Sequence, residues 1–407
     1  DRSEKYAARD FAQNYLKSIK KNGIIVTFGD NDTFPLWYAQ EVEGTRTDVR
    51  VLNYTLSGMY WYVEQLYNKL YDSDPLPFTL TKDFYGLGKD SYGVMDRSNE
   101  YLEVTEVLAL MRDHPERFTH STPQGDVMVV PTKRFKITLD IPALLDAGVI
   151  TMEQAAQIDP VIKWEINKNV LYRHELMILD ILGTNKFIRD INIMNPGYIR
   201  RVFPLIDKYC IQDAMNYKIL PYMPFVFNQE IGGFDQVRFT DYSADYYLNG
   251  VDGEQLKWGN LDADIYVDPI SLNMGTVQRQ NFVVLADDLW DKGETDKAVA
   301  LINMADSLFP KSNFPRDQYC IHMIETYVKI MGKEVGLEMW NDIYDYYSQY
   351  WVYLNSFGRD KASGVQSLKF KTAQILYTLA DIAQKSFGDT ERADQIMETL
   401  KSYGFQI

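Results

Sequence analysis

One stretch near the start of the chain decides its fold class: Ile24-Ile25-Val26-Thr27-Phe28-Gly29-Asp30-Asn31-Asp32-Thr33-Phe34-Pro35. The apolar residues 24–28 predict a short buried strand, and the polar residues 29–33 predict a turn directly after it. A helix is expected from about Pro35 to Val42, because proline is tolerated in the first turn of a helix and Gly44 follows as a stop signal. A strand that leads at once into a helix points to an α/β fold.

Residues on both sides of this stretch extend the same alternation. Residues 49–54 predict a second strand and residues 60–70 a second helix, an order that is typical of a parallel α/β layer. Residues 72–100 are rich in Pro, Gly, Asp and Ser and predict an irregular excursion. Residues 169–182 predict an amphipathic helix. The sequence therefore predicts a Rossmann-like layered α/β domain, with irregular insertions, over residues 1–270.

From about residue 275 the pattern becomes helical only. Small alanines would let two antiparallel helices approach, a glycine would form the tight turn between them, and a proline would end the second helix. One unit with tetratricopeptide spacing consists of Leu285, Ala286, Leu289, Gly293, Ala298, Ile302, Ala305 and Pro310, and a later unit of Gly388, Ala393, Met397 and Leu400. Residues 271–407 are thus predicted to form tetratricopeptide-like helical hairpins, with an unrelated helical bundle as the alternative.

The charge balance excludes two classes of partner. Lys plus Arg number 42 and Asp plus Glu 57, which gives a net charge of −15. Nucleic-acid binding requires a basic footprint, and docking on anionic lipid requires a polybasic patch. The 29 tyrosines suit carbohydrate or protein contacts as well as amphipathic filling of a core.

The two cysteines, Cys210 and Cys320, cannot build a disulfide framework or a structural zinc site. They are expected to be buried free thiols, although a single bridge between them is the alternative. No stretch has the roughly 20 consecutive apolar residues of a membrane helix. Because helical periodicity begins at the first residues and no initiator methionine is present, the chain is expected to be either part of a longer protein or a processed one.

The turn after the first strand offers the sharpest question about chemistry. Asp30 and Asp32 would lie at the carboxyl end of a strand, which is where open α/β sheets bind ligands, and two carboxylates there could hold a divalent cation. The competing interpretation is that Asp32 or Thr33 caps the following helix while Asp30 shapes the turn. No glycine-rich phosphate loop follows the strand, so no dinucleotide cofactor is expected.

Other polar groups give weaker signals. Arg46 is expected to form a surface ion pair with Asp48 or Glu43, and His174 is expected to be a structural histidine on a half-buried helix. No catalytic residue, metal site or cofactor is assigned. The candidate binding residues are Asp30, Asn31, Asp32, Thr33, Trp37, Arg46 and Asp48.

Several longer motifs resemble a known family. They are FGDNDTFPLWY (28–38), QEVEG (40–44), RTDVR (46–50), ELMILDIL (175–182) and KWGN (257–260), together with residues 1–10. With these motifs the chain resembles the C-terminal part of a large family of Bacteroidetes multi-spanning membrane proteins, long described as a domain of unknown function. That family is grouped with protein O-mannosyltransferase-like glycosyltransferases of the GT-C type. The resemblance spans nearly the whole chain.

The resemblance implies a bundle of membrane helices that precedes this chain and carries the catalytic carboxylate. It also implies a lipid-linked sugar donor, which needs neither a Rossmann pocket nor an Asp-x-Asp metal site. The chain would then be an extracytoplasmic region on the periplasmic face of the inner membrane. By itself it is expected to lack catalysis, whereas the complete protein is expected to be a glycosyltransferase.

The expected function is accessory: the region would bind or orient an acceptor polypeptide, or brace the membrane catalyst. Its expected partners are its own membrane-spanning N-terminal region and the acceptor polypeptide. Two alternatives are a self-standing α/β enzyme acting at the Asp30 and Asp32 turn, and a purely structural scaffold for protein interactions.

Overall fold

The computed structural model describes residues 5–123, 125–228, 233–251, 253–259, 266–357 and 362–403. The chain forms two compact units. The first unit is Ala8–Leu256, and the second contains the described residues from Lys257 onwards with those before Ala8. Each unit is described by itself below.

The first unit combines helices with several sheets. The helices are α1 (Ala7–Lys17), α2 (Asp30–Glu41), α3 (Tyr60–Leu66), α4 (Val104–Asp113), α5 (Pro115–Phe118), α6 (Ile141–Asp146), α7 (Met152–Ala155), α8 (Arg173–Asn185) and α9 (Asp241–Asn249). The strands are β1 (Ile24–Thr27), β2 (Arg50–Asn53), β3 (Ser91–Val94), β4 (Leu102–Glu103), β5 (Thr119–Thr122), β6 (Gly125–Val130), β7 (Arg134–Thr138), β8 (Val161–Glu165), β9 (Val170–Tyr172), β10 (Ile191–Ile193), β11 (Cys210–Asp213), β12 (Asn216–Ile219), β13 (Phe225–Asn228) and β14 (Gly233–Gln236).

The main sheet has five strands in the order β11-β12-β10-β1-β2. β1 pairs in parallel with β2 on one side and with β10 on the other, so that Ile24 lies opposite both Arg50 and Ile191. β12 and β11 extend the sheet in antiparallel fashion. Every residue of β1, β2 and β10 is buried, as expected for parallel strands covered on both faces. The predicted α/β character of the first part is confirmed.

The free edge of this sheet at β2 is closed by one side chain. The Tyr62 hydroxyl accepts a hydrogen bond from the Asn53 N–H at 2.9 Å and donates one to the Val51 carbonyl at 3.3 Å. The hydroxyl thereby takes the place of a further strand. Without it, these two backbone groups of β2 would be free to pair with another chain. Burial raises the pKa of Tyr62 to about 12.

Two smaller sheets and a hairpin complete the first unit. They have the orders β5-β6-β3-β9, β4-β7-β8 and β13-β14. The prediction of an irregular segment over residues 72–100 is wrong in part, because β3 lies within it and pairs with β6 and β9. Such pairing partners are distant in sequence, so local composition does not reveal them.

The predicted amphipathic helix over residues 169–182 also requires correction. Its first residues form β9, and α8 begins only at Arg173. The helix is not amphipathic, since eleven of its 13 residues are buried. It packs against α4 and the short 3-10 helix Leu56–Gly58. A Cβ added at Gly183 would collide with Val104, so the close approach to α4 requires glycine.

In the second unit, all regular secondary structure among the described residues is helical, and turns and loops join the helices. It contains α10 (Pro269–Asp291), α11 (Thr295–Leu308), α12 (Ile324–Met331), α13 (Lys333–Asn355), α14 (Ala362–Phe387) and α15 (Thr390–Ser402). Successive helices pack together as α10 with α11, α12 with α13, α13 with α14, and α14 with α15. The predicted helical character of the C-terminal region is confirmed.

Three of the turns between these helices use glycine in a left-handed conformation. Gly293 has a φ of +80°, Gly332 of +96° and Gly388 of +68°. Other residues adopt such φ values only at a cost, which explains the glycine at each turn. Ala298 and Ala305 of α11 are completely buried, like Ala286 of α10. None of the helices in the described ranges has both the length and the apolar character that a membrane span requires.

Candidate functional site

The Asp30 turn lies where the three parallel strands end. β1 ends at Thr27, β2 at Asn53 and β10 at Ile193, and their parallel register brings these ends to one edge of the sheet. Ligands of open α/β sheets bind at this edge, especially where helices cover opposite faces.

The Asp32 carboxylate is committed to the backbone of the turn. It accepts hydrogen bonds from the N–H groups of Phe28 and Gly29, each at 2.7 Å. The prediction that the helix begins at about Pro35, with Asp32 as its N-cap, is wrong: α2 begins at Asp30 with Gly29 as N-cap. Asp32 is instead the third residue of the helix and bonds backwards, the geometry of the acidic residue in a capping box. Pro35 consequently lies inside the helix.

Thr33 ties the helix to the ends of two strands. Its hydroxyl lies 2.7 Å from that of Thr27 and accepts a hydrogen bond from the Asn53 side chain at 2.8 Å. Thr33 is completely buried, so it shapes the turn and cannot contact a ligand. The sequence interpretation of Thr33 as an N-cap is therefore wrong, because α2 begins three residues before it.

The remaining residues of the turn are open to solvent. Asp30 and Asn31 are exposed, and within the described ranges their side chains make no hydrogen bond or ion pair. Trp37 is half-buried; its ring centroid lies 5.6 Å from that of Phe34 and 6.2 Å from that of Tyr62. The turn thus presents one carboxylate and one amide beside an aromatic surface.

Arg46 and Asp48 lie elsewhere, before the start of β2 and beside the end of α1. Arg46 donates to the carbonyls of Leu16 at 3.0 Å and Ile19 at 2.6 Å, and its Nε lies 2.8 Å from the Asp48 carboxylate. Burial alone would raise the pKa of Asp48, but hydrogen bonds from Arg46 and from the Asn22 N–H outweigh it and lower that pKa. A cation that satisfies the last carbonyls of a helix has a structural role.

Both residues line a cleft of about 990 Å³ at the opposite end of the strands. The structure therefore does not bring Arg46 and Asp48 together with the Asp30 turn. The candidate residues fall into two separate groups, one at each end of the parallel strands.

Five rings that the sequence interpretation did not combine lie across the strand ends. We call them the aromatic row: Tyr198, Phe28, Tyr54, His174 and Tyr172. Successive ring centroids are 4.5, 5.9, 4.5 and 5.8 Å apart. The only sequence signal was the position of Phe28 and Tyr54 directly after the first two strands. The other three members come from distant segments and could not have been grouped without the structure.

The polar side-chain groups of the row have no hydrogen-bond partner in the part of the chain that the structure describes. Neither the Tyr54 hydroxyl nor the His174 imidazole makes a hydrogen bond there. Tyr54 is only 7% exposed, and burial raises its pKa well above the usual value. Burial lowers the pKa of His174. Both groups are therefore favoured in their neutral forms, and each can donate and accept a hydrogen bond.

A comparison with protein families identifies this α/β region. The family model described as TMEM260-associated domain 2 matches residues 8–236. The chain belongs to this family. Comparison with curated proteins and with solved structures finds no match. The matched residues of TMEM260-associated domain 2 include the complete aromatic row and the Asp30 turn.

A second helix of TMEM260-associated domain 2 has the same kind of start as α2. The Glu175 carboxylate accepts a hydrogen bond from the Tyr172 N–H at 3.0 Å and forms an ion pair with Lys168 at 2.5 Å. Glu175 is the third residue of α8, as Asp32 is of α2. A carboxylate therefore occupies the positive end of each helix dipole beside the row.

Two other kinds of site that the sequence raised are a metal site and a disulfide. Within the described ranges, no group of three or more His, Cys, Asp or Glu side chains could hold a metal ion. Cys210 and Cys320 are buried free thiols. Burial raises the pKa of both, that of Cys210 to about 12.

Proposed function

We propose that this chain is an extracytoplasmic accessory region of a membrane-bound glycosyltransferase of the GT-C type, similar to protein O-mannosyltransferases, and that it binds and orients the acceptor polypeptide. The catalytic groups would belong to a membrane-spanning part of the same protein. The region would lie on the periplasmic face of the inner membrane. The family match supports the proposal only through the association of this domain with TMEM260, which the name of the family states.

The observation that carries the acceptor-binding proposal is an exposed aromatic face that runs along α13 and continues to Phe357 just after the helix ends. We call it the tyrosine ladder: Tyr346, Tyr350, Tyr353 and Phe357. Successive centroids lie 6.0, 6.1 and 5.0 Å apart, and Tyr346 and Tyr353 are each more than half exposed. Exposed rings in a contiguous patch are typical of surfaces that bind protein, since each ring is largely apolar and tyrosine also offers a hydroxyl.

The helical hairpins suit an extended polypeptide. In our proposal they are tetratricopeptide-like repeats, which stack into a surface that can follow a peptide over several residues. The net charge of −15 favours a basic or neutral acceptor. The α/β region is correspondingly proposed to be a Rossmann-like layered sheet that no longer serves a dinucleotide.

A self-standing enzyme at the Asp30 turn is the less favoured alternative. A metal-dependent reaction there would need both carboxylates, but Asp32 already bonds two backbone N–H groups. Only Asp30 remains open, and a single exposed carboxylate is a poor cation site.

The proposal is tested in cells that carry the complete gene. The double substitution Tyr346→Ser and Tyr353→Ser removes two of the four rings of the ladder, and both replaced side chains are more than half exposed. We expect lower occupancy of O-glycan sites on secreted proteins, measured by quantitative glycoproteomics, with unchanged levels of the protein itself.

The matched control is Tyr377→Ser on α14, which removes an exposed tyrosine outside the ladder. It should leave glycan occupancy unchanged. If deletion of the complete gene leaves every O-glycan in place, the glycosyltransferase proposal is overturned. If deletion removes glycans but the ladder variant does not, acceptor binding by α13 is overturned.

A further inference from the structure

We propose that the aromatic row of the α/β region is a binding site for a neutral saccharide unit. The inference goes beyond acceptor binding, because it assigns a ligand to the strand ends and does not involve the tyrosine ladder. It rests on three features of the row: exposed ring faces, polar groups without protein partners, and neighbouring helix starts whose anion positions are already occupied by carboxylates.

The ring faces supply an apolar platform. Phe28 is 44% exposed and Tyr172 is 50% exposed, while Tyr54 and His174 lie between them. A pyranose has one face of C–H groups that packs on an aromatic ring and a rim of hydroxyls. Binding sites for small molecules combine apolar walls with a few placed polar groups in the same way.

The polar groups of the row match the hydroxyls of such a rim. Tyr54 is 7% exposed as a whole residue, and its hydroxyl, which keeps some exposed surface, has no hydrogen-bond partner among the described residues. A hydroxyl that is open to solvent and bonds no protein group is available to a ligand, and such a hydrogen bond gives a modest net gain because it replaces a bond to water. The Tyr54 phenol and the neutral His174 imidazole can each donate and accept, as sugar hydroxyls can.

The helix starts beside the row offer no open position for an anion such as a phosphate. The first backbone N–H groups of a helix normally attract anions, but beside the row Asp32 and Glu175 already occupy these positions in α2 and α8. Their negative charges would repel a further anion. Lys168 is held by Glu175. The cation near the row among the described residues is therefore the exposed Arg201, whose charge acts to lower the pKa values of Tyr54 and His174. A neutral ligand meets no such repulsion.

The test uses the intact chain and a panel of methyl pyranosides of the common hexoses, with short neutral oligosaccharides built from them. Binding is measured by saturation-transfer NMR and titration calorimetry. We expect one or more members of the panel to bind. Tyr54→Phe should weaken that binding about 3- to 10-fold, the range for one neutral hydrogen bond. Phe28→Ser, which removes an exposed platform ring, should weaken it further.

Tyr54→Phe is informative because its hydroxyl bonds to no described residue, so the variant should keep the melting temperature of the parent. The matched control is Tyr319→Phe, an exposed tyrosine of the helical unit, which should bind as the parent does. The proposal is overturned if no saccharide of the panel binds, or if binding survives both Tyr54→Phe and Phe28→Ser. It is also overturned if the row binds inorganic phosphate, or a neutral peptide, in place of the saccharides.

Discussion

The start of α2 depends on one carboxylate. Asp32 bonds the N–H groups of Phe28 and Gly29, while its neighbour Asp30 makes no bond within the described residues. Two acidic residues that look equivalent in sequence therefore have different roles. The difference follows from position, because only the third residue of a helix can reach back to the N-cap.

We expect Asp32→Ala to lower the free energy of unfolding by about 1 to 2 kcal/mol, since two backbone donors lose their acceptor. Asp32→Asn should cost less, because one acceptor oxygen remains. Asp30→Ala is the matched control and should change stability by less than about 0.5 kcal/mol. Urea denaturation measures all three. A rise in melting temperature with millimolar calcium, magnesium or manganese that Asp30→Ala abolishes would instead identify a metal site.

Asp180 should make stability depend on pH. Its carboxylate is completely buried and accepts hydrogen bonds from the Thr79 N–H at 2.7 Å, the Leu80 N–H at 3.0 Å and the Tyr85 hydroxyl at 2.9 Å. Burial raises its pKa from 3.8 to about 6 despite these bonds. The folded state therefore binds the proton more tightly than the unfolded state. The resulting stabilisation is complete below pH 3.8 and is lost as the pH rises through 6.

The stability difference between the parent and Asp180→Asn should therefore shrink between pH 4 and 7, by roughly 3 kcal/mol at most. Urea denaturation of both proteins across this range tests the expectation. The exposed Asp345→Asn is the control and should show a constant difference from the parent. A constant difference for Asp180→Asn as well would contradict the assignment.

At the scale of elements, the helical hairpins depend on small residues at their contacts. Ala286, Ala298 and Ala305 have no exposed surface, and α10 packs against α11 across the turn at Gly293. The small alanine side chains leave little space between the two helices, so a larger side chain at these positions would have to displace its neighbours. Sequence spacing identified these alanines correctly because a helix places residues three and four apart on one face.

We expect Ala298→Leu to lower the free energy of unfolding by about 1 to 3 kcal/mol, since three extra carbon atoms must enter a packed contact. Ala300→Leu on the same helix is the matched control, because Ala300 is exposed and the identical change should be nearly neutral. Chemical denaturation compares the two variants. Equal melting temperatures for Ala298→Leu and the parent would show that this contact does not exist.

At the scale of the molecule, each of the two units buries its own core. Ile193 lies at the centre of the main sheet with no exposed surface, and Ala298 has the same burial within the helical unit. Units with separate cores usually unfold in separate transitions.

Scanning calorimetry of the whole chain should therefore show two transitions. Ile193→Ala, which removes about 2 to 5 kcal/mol from a packed core, should lower only the transition of the α/β unit. Ala298→Leu should lower only the transition of the helical unit. A single transition that both substitutions shift equally would mean that the chain unfolds as one cooperative body.

Local pattern was sufficient for much of this architecture. The apolar runs at residues 24–28 and 49–54 predicted β1 and β2, and the turn glycines predicted the ends of helices α10 and α14. Patterns of this kind depend on neighbours within a few residues, so they can be recognised in the sequence without knowledge of the fold. The start of α2 was misplaced by five residues. Pro35 suggested that the first turn of the helix begins there, but the helix begins at Asp30 and its first turn is held by the hydrogen bonds of Asp32.

The sequence by itself determined that an α/β region precedes a helical one, because strands and helices place apolar residues at different, recognisable spacings. Only the tertiary structure decided which of the candidate binding residues lie close together. Arg46 and Asp48 lie at one end of the strands and Asp30 at the other, although all three are close in sequence. The aromatic row joins segments up to 170 residues apart (from Phe28 to Tyr198), brought together by the parallel pairing of β1 with β10. Strand pairing is a non-local contact, and no local pattern specifies it.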